Sequence, residues 1–184
     1  MEVESSHLGP EYLDLLELLE GHPLAIQVAL PLLKEVPASV LVQDLPTRIE
    51  ALPPDALEEE REPFLTALME HAFSRMSRRS RTHLPFLSLF QRRVMMDVLS
   101  HITQERVYRT SMGEELGWGA CRTLLRSARD VGFLDEVNPS VFQINSSVPW
   151  FLGRQLHAQV PATGIKQLER ELVRVFADTA EYFM

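Results

Sequence analysis

Cysteine is nearly absent: Cys121 is the only one in 184 residues. No intramolecular disulfide can form, and a cysteine-cluster metal site is excluded. Nothing in this usage points to an oxidising compartment. No apolar run approaches the roughly 18 residues that would suggest a membrane span. The opening MEVESSHLGP lacks the basic-then-apolar order of a secretory signal, and it reads as a lead-in. The simplest inference is a cytoplasmic protein or a fragment of one. Positive charge is in deficit, with 18 Lys and Arg against 26 Asp and Glu and a formal net charge of -8. That argues against a general nucleic-acid binder, which needs a basic face to neutralise phosphates, although it allows a local basic patch. The histidines at 7, 22, 71, 83, 101 and 157 include no i, i+4 pair with a carboxylate, so no metal site is expected. No Gly-x-x-x-x-Gly-Lys-Ser/Thr occurs, so the loop and lysine that grip nucleotide phosphates are missing.

The 45% hydrophobic and 24% charged content is ordinary for a globular chain and suffices for a core. The length accommodates one large domain or two small ones. Tyr12, Leu15, Leu16 and Leu19 fall on one face of a first helix. Gly21 suits a helix stop and Pro23 a first helical position. From Leu24 to Leu33 the chain is apolar apart from Gln27, which predicts a central helix, kinked or ended early by Pro31. A third helix, capped by Ser39, would bury Val40, Leu41, Leu45, Ile49 and Leu52 despite Pro46. After Pro53-Pro54, Asp55 caps a fourth helix running to about Met76. Its acidic start, Glu58 to Glu60, complements the positive helix pole. With Glu62 that run could suggest an acid/base pair, but it reads as an exposed first turn.

The basic joint SRMSRRSRTHLP is read as a solvated helix end, with an anion or nucleic-acid contact as the other reading. Beyond it, Val94, Met95, Val98, Leu99 and Ile102 predict a helix. RTSMGEELGWGACRTLLRSARDVGF predicts a short helix, a turn at Gly117-Trp118-Gly119 and a longer helix ended by Gly132. FLDEV and VFQIN, around Asn-Pro-Ser, predict two short strands. Three helices and a hairpin are the order of a winged helix, a variant of the helix-turn-helix. A last amphipathic helix from Pro161 carries Ile165, Leu168, Leu172, Val175, Phe176 and Ala180. The fold class expected is therefore mainly α. Residues 1–9 form a lead-in, 10–78 a helical bundle, 79–160 a winged helix with a short hairpin, and 161–184 a C-terminal helix. Arg122, Arg126 and Arg129 share one face of the presumed recognition helix, where a DNA-binding winged helix would enter the major groove. Cys121 reads as a small buried residue whose neighbouring arginines are the only route to reactivity. Trp118 and Trp150 read as core or interface anchors. No catalytic constellation is present, so the chain is not expected to be an enzyme by itself.

LLELLEGHPLAIQVALPLL resembles the segment after the sensor region of the signal-transduction ATPases called STAND proteins, which include the NB-ARC proteins. Their pattern is a helix, then Gly-x-Pro-Leu-Ala, here Gly21-His22-Pro23-Leu24-Ala25, then an apolar helix. GFLDEVNPSVFQINSSVPWFLGRQL is similar to the end of the winged helix in bacterial and fungal members. The two matches come in the family's order and together cover nearly the whole chain. The resemblance implies a regulatory module without its P-loop domain, closing over ADP or ATP held by that adjacent ATPase domain. It implies C-terminal repeats, begun by the last helix, as a second partner, and a protein effector as a further one. Gly21, Pro23 and Leu24 would then be nucleotide-adjacent, with Pro23 beside adenine or ribose. The family's winged-helix histidine, which reaches the β-phosphate of ADP, aligns with Asn145. Asparagine donates a hydrogen bond but carries no charge, so the latch is weakened by residue type. No cofactor is expected in this chain alone. The alternatives are a helix-loop-helix corner that needs Gly and Pro only for geometry, a DNA-binding winged-helix regulator, and a protein-binding scaffold.

Overall fold

A computed structural model describes residues 9–50 and 63–182. The protein is mainly helical, with a small three-stranded antiparallel sheet. It divides into two compact units between Arg75 and Met76.

The first unit contains α1 (Pro10–Leu18), α2 (Pro23–Leu32), α3 (Ala38–Glu50) and α4 (Pro63–Arg75). Helix α1 packs on α3, and α4 on α2 and α3. Leu15, Leu19, Val28, Leu41, Leu45, Leu68 and Met69 are buried between them. Truncating a fully buried leucine such as Leu41 or Leu45 to alanine costs about 2–5 kcal/mol. The helix ends differ from the sequence expectations by a residue or two. Helix α3 starts at Ala38, so Ser39 lies inside it, and Pro46 is accommodated within the helix. Helix α2 ends one residue after Pro31. Leu30 is exposed, so α2 is buried on one face and not all round, and Leu16 of α1 and Val40 of α3, expected on buried faces, are exposed as well. The expected cap at Asp55, the acidic turn at Glu58 to Glu60, and Leu52 lie outside the described residues.

The second unit begins with α5 (Arg78–His83), a 3₁₀ stretch (Leu84–Leu89) and β1 (Arg93–Met95). Next come α6 (Met96–Ile102), α7 (Arg106–Met112) and α8 (Trp118–Asp130), then β2 (Leu134–Asn138) and β3 (Val141–Ile144), α9 (Val148–Gln159) and α10 (Ala162–Tyr182). The basic joint is therefore a short helix of its own, capped by the Ser77 hydroxyl, which accepts from the Ser80 amide. Val94 and Met95 form a strand where the sequence suggested helix. Val94 lies opposite Phe142 and Met95 opposite Val141, which gives the strand order β1-β3-β2. The hairpin at FLDEV and VFQIN is present, with a register irregularity between Glu136 and Asn138. Gly117 caps α8, and Trp118 and Gly119 belong to its first turn. Gly132, at φ +79°, turns the chain out of α8 into β2, a conformation that favours glycine. Helix α6 packs on α8, α8 on β2, and α10 on α6 and α7. Among the described residues no helix is long and apolar enough to cross a membrane.

Candidate functional site

The Gly21-His22-Pro23 corner is built by local chemistry. Glu20 and Gly21 both adopt left-handed backbone, at φ 48° and 66°. The His22 amide donates to the Leu19 carbonyl at 2.8 Å. His22 then becomes extended, and its Nδ1 accepts from the Ala25 amide at 3.2 Å, capping α2. Pro23 follows at the first helical position, where a missing N–H costs nothing. Gly21 and Pro23 are exposed, while Leu24 is buried in the unit. Beside the corner lies a hollow of about 470 Å³, lined among others by Leu18, Glu20, His22, Pro23 and Phe64. Gly21 and Pro23 thus line the concavity, while Leu24 turns into the unit's core and does not.

Asn145 belongs to the second unit. Its side-chain amide donates to the Gly132 carbonyl at 2.7 Å, and its backbone amide to the Phe133 carbonyl at 3.3 Å. It ties the end of β3 to the start of β2 and is half-buried. Within the unit one of its two side-chain N–H donors is engaged.

Arg122, Arg126 and Arg129 lie along α8, opposite the buried Cys121, Leu124, Leu125 and Ala128. Arg122 and Arg126 are exposed and make no ion pair among the described residues. Arg129 differs. It bonds Asp130 at 2.8 Å and also Glu136 on β2, and these two carboxylates hold its guanidinium charge even more firmly than usual.

A buried polar chain in the second unit escaped the sequence reading. The His83 ring is stacked on Tyr108, and both residues are fully buried. His83 Nε2 lies 3.1 Å from Glu114 Oε1, and Nδ1 lies 2.8 Å from the Tyr108 hydroxyl. The carboxylate can only accept, so Nε2 carries the proton and Nδ1 accepts from the tyrosine O–H. Arg79 forks onto both Glu114 oxygens, at 3.0 and 3.1 Å. Burial lowers the His83 pKa despite Glu114, which favours the neutral ring. His83 is 25 and 31 residues from its partners, so no local spacing signals the chain. Cys121 is likewise buried, 3.4 Å from the Thr103 hydroxyl. Burial pushes its thiol up, away from the reactive thiolate. Trp118 and Trp150 are 46% and 38% exposed, which removes the core reading for both and leaves the interface reading. Among the described residues no cluster of three His, Cys, Asp or Glu side chains is placed to hold a metal ion.

Compared with protein-family models, curated proteins and solved structures, the chain matches none. What is defined is a class: a mainly helical protein of two units, the second carrying a three-stranded antiparallel sheet.

Proposed function

We propose that this chain is a non-catalytic regulatory and interaction module of a STAND-type switch. In this reading the first unit is the helical bundle and the second a winged helix. Together they close over nucleotide held by a neighbouring P-loop domain and pass its state to a downstream repeat region or effector. The observation that carries the proposal is the open hollow beside Pro23. An exposed proline at the rim of a concavity supplies a flat apolar surface for a base or sugar. The alternation of α6, α7, α8 and the hairpin supports the winged-helix reading of the second unit. The arrangement of Asn145 supports a switch without the family's charged latch, because the side chain is uncharged and one of its N–H groups is anchored to Gly132. Such a module biases a bistable element through contacts that differ between two nucleotide states. The test is release of a fluorescent ADP analogue from the parent protein that this reading requires. Pro23→Ala should speed release, and an unchanged rate would remove the corner from the site.

The second reading, a DNA-binding regulator, is favoured by one observation: Arg122 and Arg126 are exposed and unpaired on one helix face. It is opposed by Arg129, which is tied to Asp130 and Glu136, and by the chain's net charge of -8. Duplex binding that weakens steeply with salt, and is lost in Arg122→Glu, would establish it.

A further inference from the structure

Strand β1 is an edge strand, since the sheet order is β1-β3-β2. At its ends, the Ile144 amide donates to the Arg92 carbonyl at 2.8 Å and the Met96 amide to the Ser140 carbonyl at 2.9 Å. Antiparallel pairing alternates, so the backbones of Arg92, Val94 and Met96 face β3, and those of Arg93 and Met95 face outward. Among the described residues, the Arg93 amide and carbonyl and the Met95 amide have no backbone partner.

A groove of about 550 Å³ opens alongside, between β1 and α10. Phe90, Leu172 and Phe176 form its apolar floor, the two phenylalanines in edge contact at 5.9 Å. Met95 and Val173 stand on its rim at 37% and 68% exposure. Arg92 and Arg93 complete the rim, both exposed. Neither meets a carboxylate among the described residues, whereas Arg75, Arg79, Arg109, Arg129 and Arg174 all do.

We propose that this edge and groove receive an extended, acidic segment of a partner protein by strand addition. Free main-chain groups, an apolar trough and two unpaired cations are the three features such recognition uses. Alternate apolar side chains of the incoming strand would enter the groove, while its carboxylates meet Arg92 and Arg93. Only three outward backbone groups are available, so side chains must supply most of the affinity. A second copy of this chain is a poor occupant. Edge-to-edge pairing across a two-fold would bring the arginines of both copies together, a device that protects edges from self-association. This inference is independent of the nucleotide-switch reading and stands or falls separately.

The experiment pans a phage-displayed library of random decapeptides against the full chain, then measures the enriched peptide by fluorescence anisotropy. The expected consensus alternates apolar and acidic residues. Replacing its acidic residues with lysine should abolish binding. Arg92→Glu with Arg93→Glu should weaken it at least tenfold, as should Val173→Asp, whose exposure leaves folding intact. Arg122→Glu should change nothing. In amide-resolved NMR the Arg93 and Met95 signals should move most. The proposal is overturned by no enrichment, by a consensus without acidic preference, or by binding that survives both the arginine reversal and Val173→Asp. Concentration-dependent self-pairing through β1 in sedimentation would overturn it in favour of a second copy.

Discussion

His71 offers the sharpest perturbation. It sits in α4 at 5% exposure, and both ring nitrogens are buried with no hydrogen-bond partner among the described residues. A buried polar group left unsatisfied costs about 1–3 kcal/mol. Leucine is close in size and has nothing to satisfy, so His71→Leu should stabilise the first unit by up to about that amount at pH 7.4. Acid makes the contrast larger. Burial, aided by Arg48 and Arg75 and opposed by Asp44, lowers the His71 pKa from 6.5. The unfolded chain therefore takes the proton more readily than the folded one. The His71 contribution is undiminished above pH 6.5 and is lost as pH falls below it toward the folded pKa. The loss is at most about 1.4 kcal/mol per pH unit. Both tryptophans lie in the second unit, so intrinsic fluorescence does not report on α4. Hydrogen exchange of peptides from 63–75, corrected for intrinsic rates at pH 7.4 and 5.5, does. The wild type should lose protection on acidification, and His71→Leu should be better protected at both pH values with a flatter dependence. Equal or lower protection in the variant, or an unchanged acid dependence, would refute the reasoning.

Three further predictions follow from local geometry. Tyr108→Phe leaves His83 Nδ1 buried without a donor, so the second unit should lose about 1–3 kcal/mol, read as a fall of Tm in calorimetry. Glu20→Gly relieves a left-handed backbone at a non-glycine residue and should stabilise the first unit by about 0.5–1 kcal/mol in urea unfolding, while Gly21→Ala should destabilise it. Gly119→Ala meets no atom within 4 Å in the first turn of α8 and should raise stability by up to about 1 kcal/mol, seen as a higher urea midpoint at unchanged slope.

Periodicity carried much of the architecture. The apolar spacing in α8 and α10 and the Asn-Pro-Ser turn between β2 and β3 were legible because each is encoded within a dozen residues. Strand β1 was not. Three residues ahead of a helix have no period to read, and Val94-Met95 continues the apolar pattern of α6; only pairing with β3, almost fifty residues away, makes it a strand. The basic joint misled for a similar reason, since its arginines signal a solvated end while the burial of His83 depends on Tyr108 and Glu114. At the corner, glycine and proline announced the turn, but not the capping by His22 Nδ1 or the left-handed Glu20. Ion pairing is the least legible feature. Three arginines at one helical spacing look equivalent in the sequence, yet Arg129 is neutralised while Arg122 and Arg126 are not.

In the proposed switch, this module closes over nucleotide on a neighbouring domain. The decisive experiment is calorimetric titration of this chain into the P-loop domain that the proposal requires, loaded with ADP and then with ATP. The account predicts tighter association with ADP, and a preference that collapses in Pro23→Ala. Equal affinity in both states, or no association in either, would contradict it.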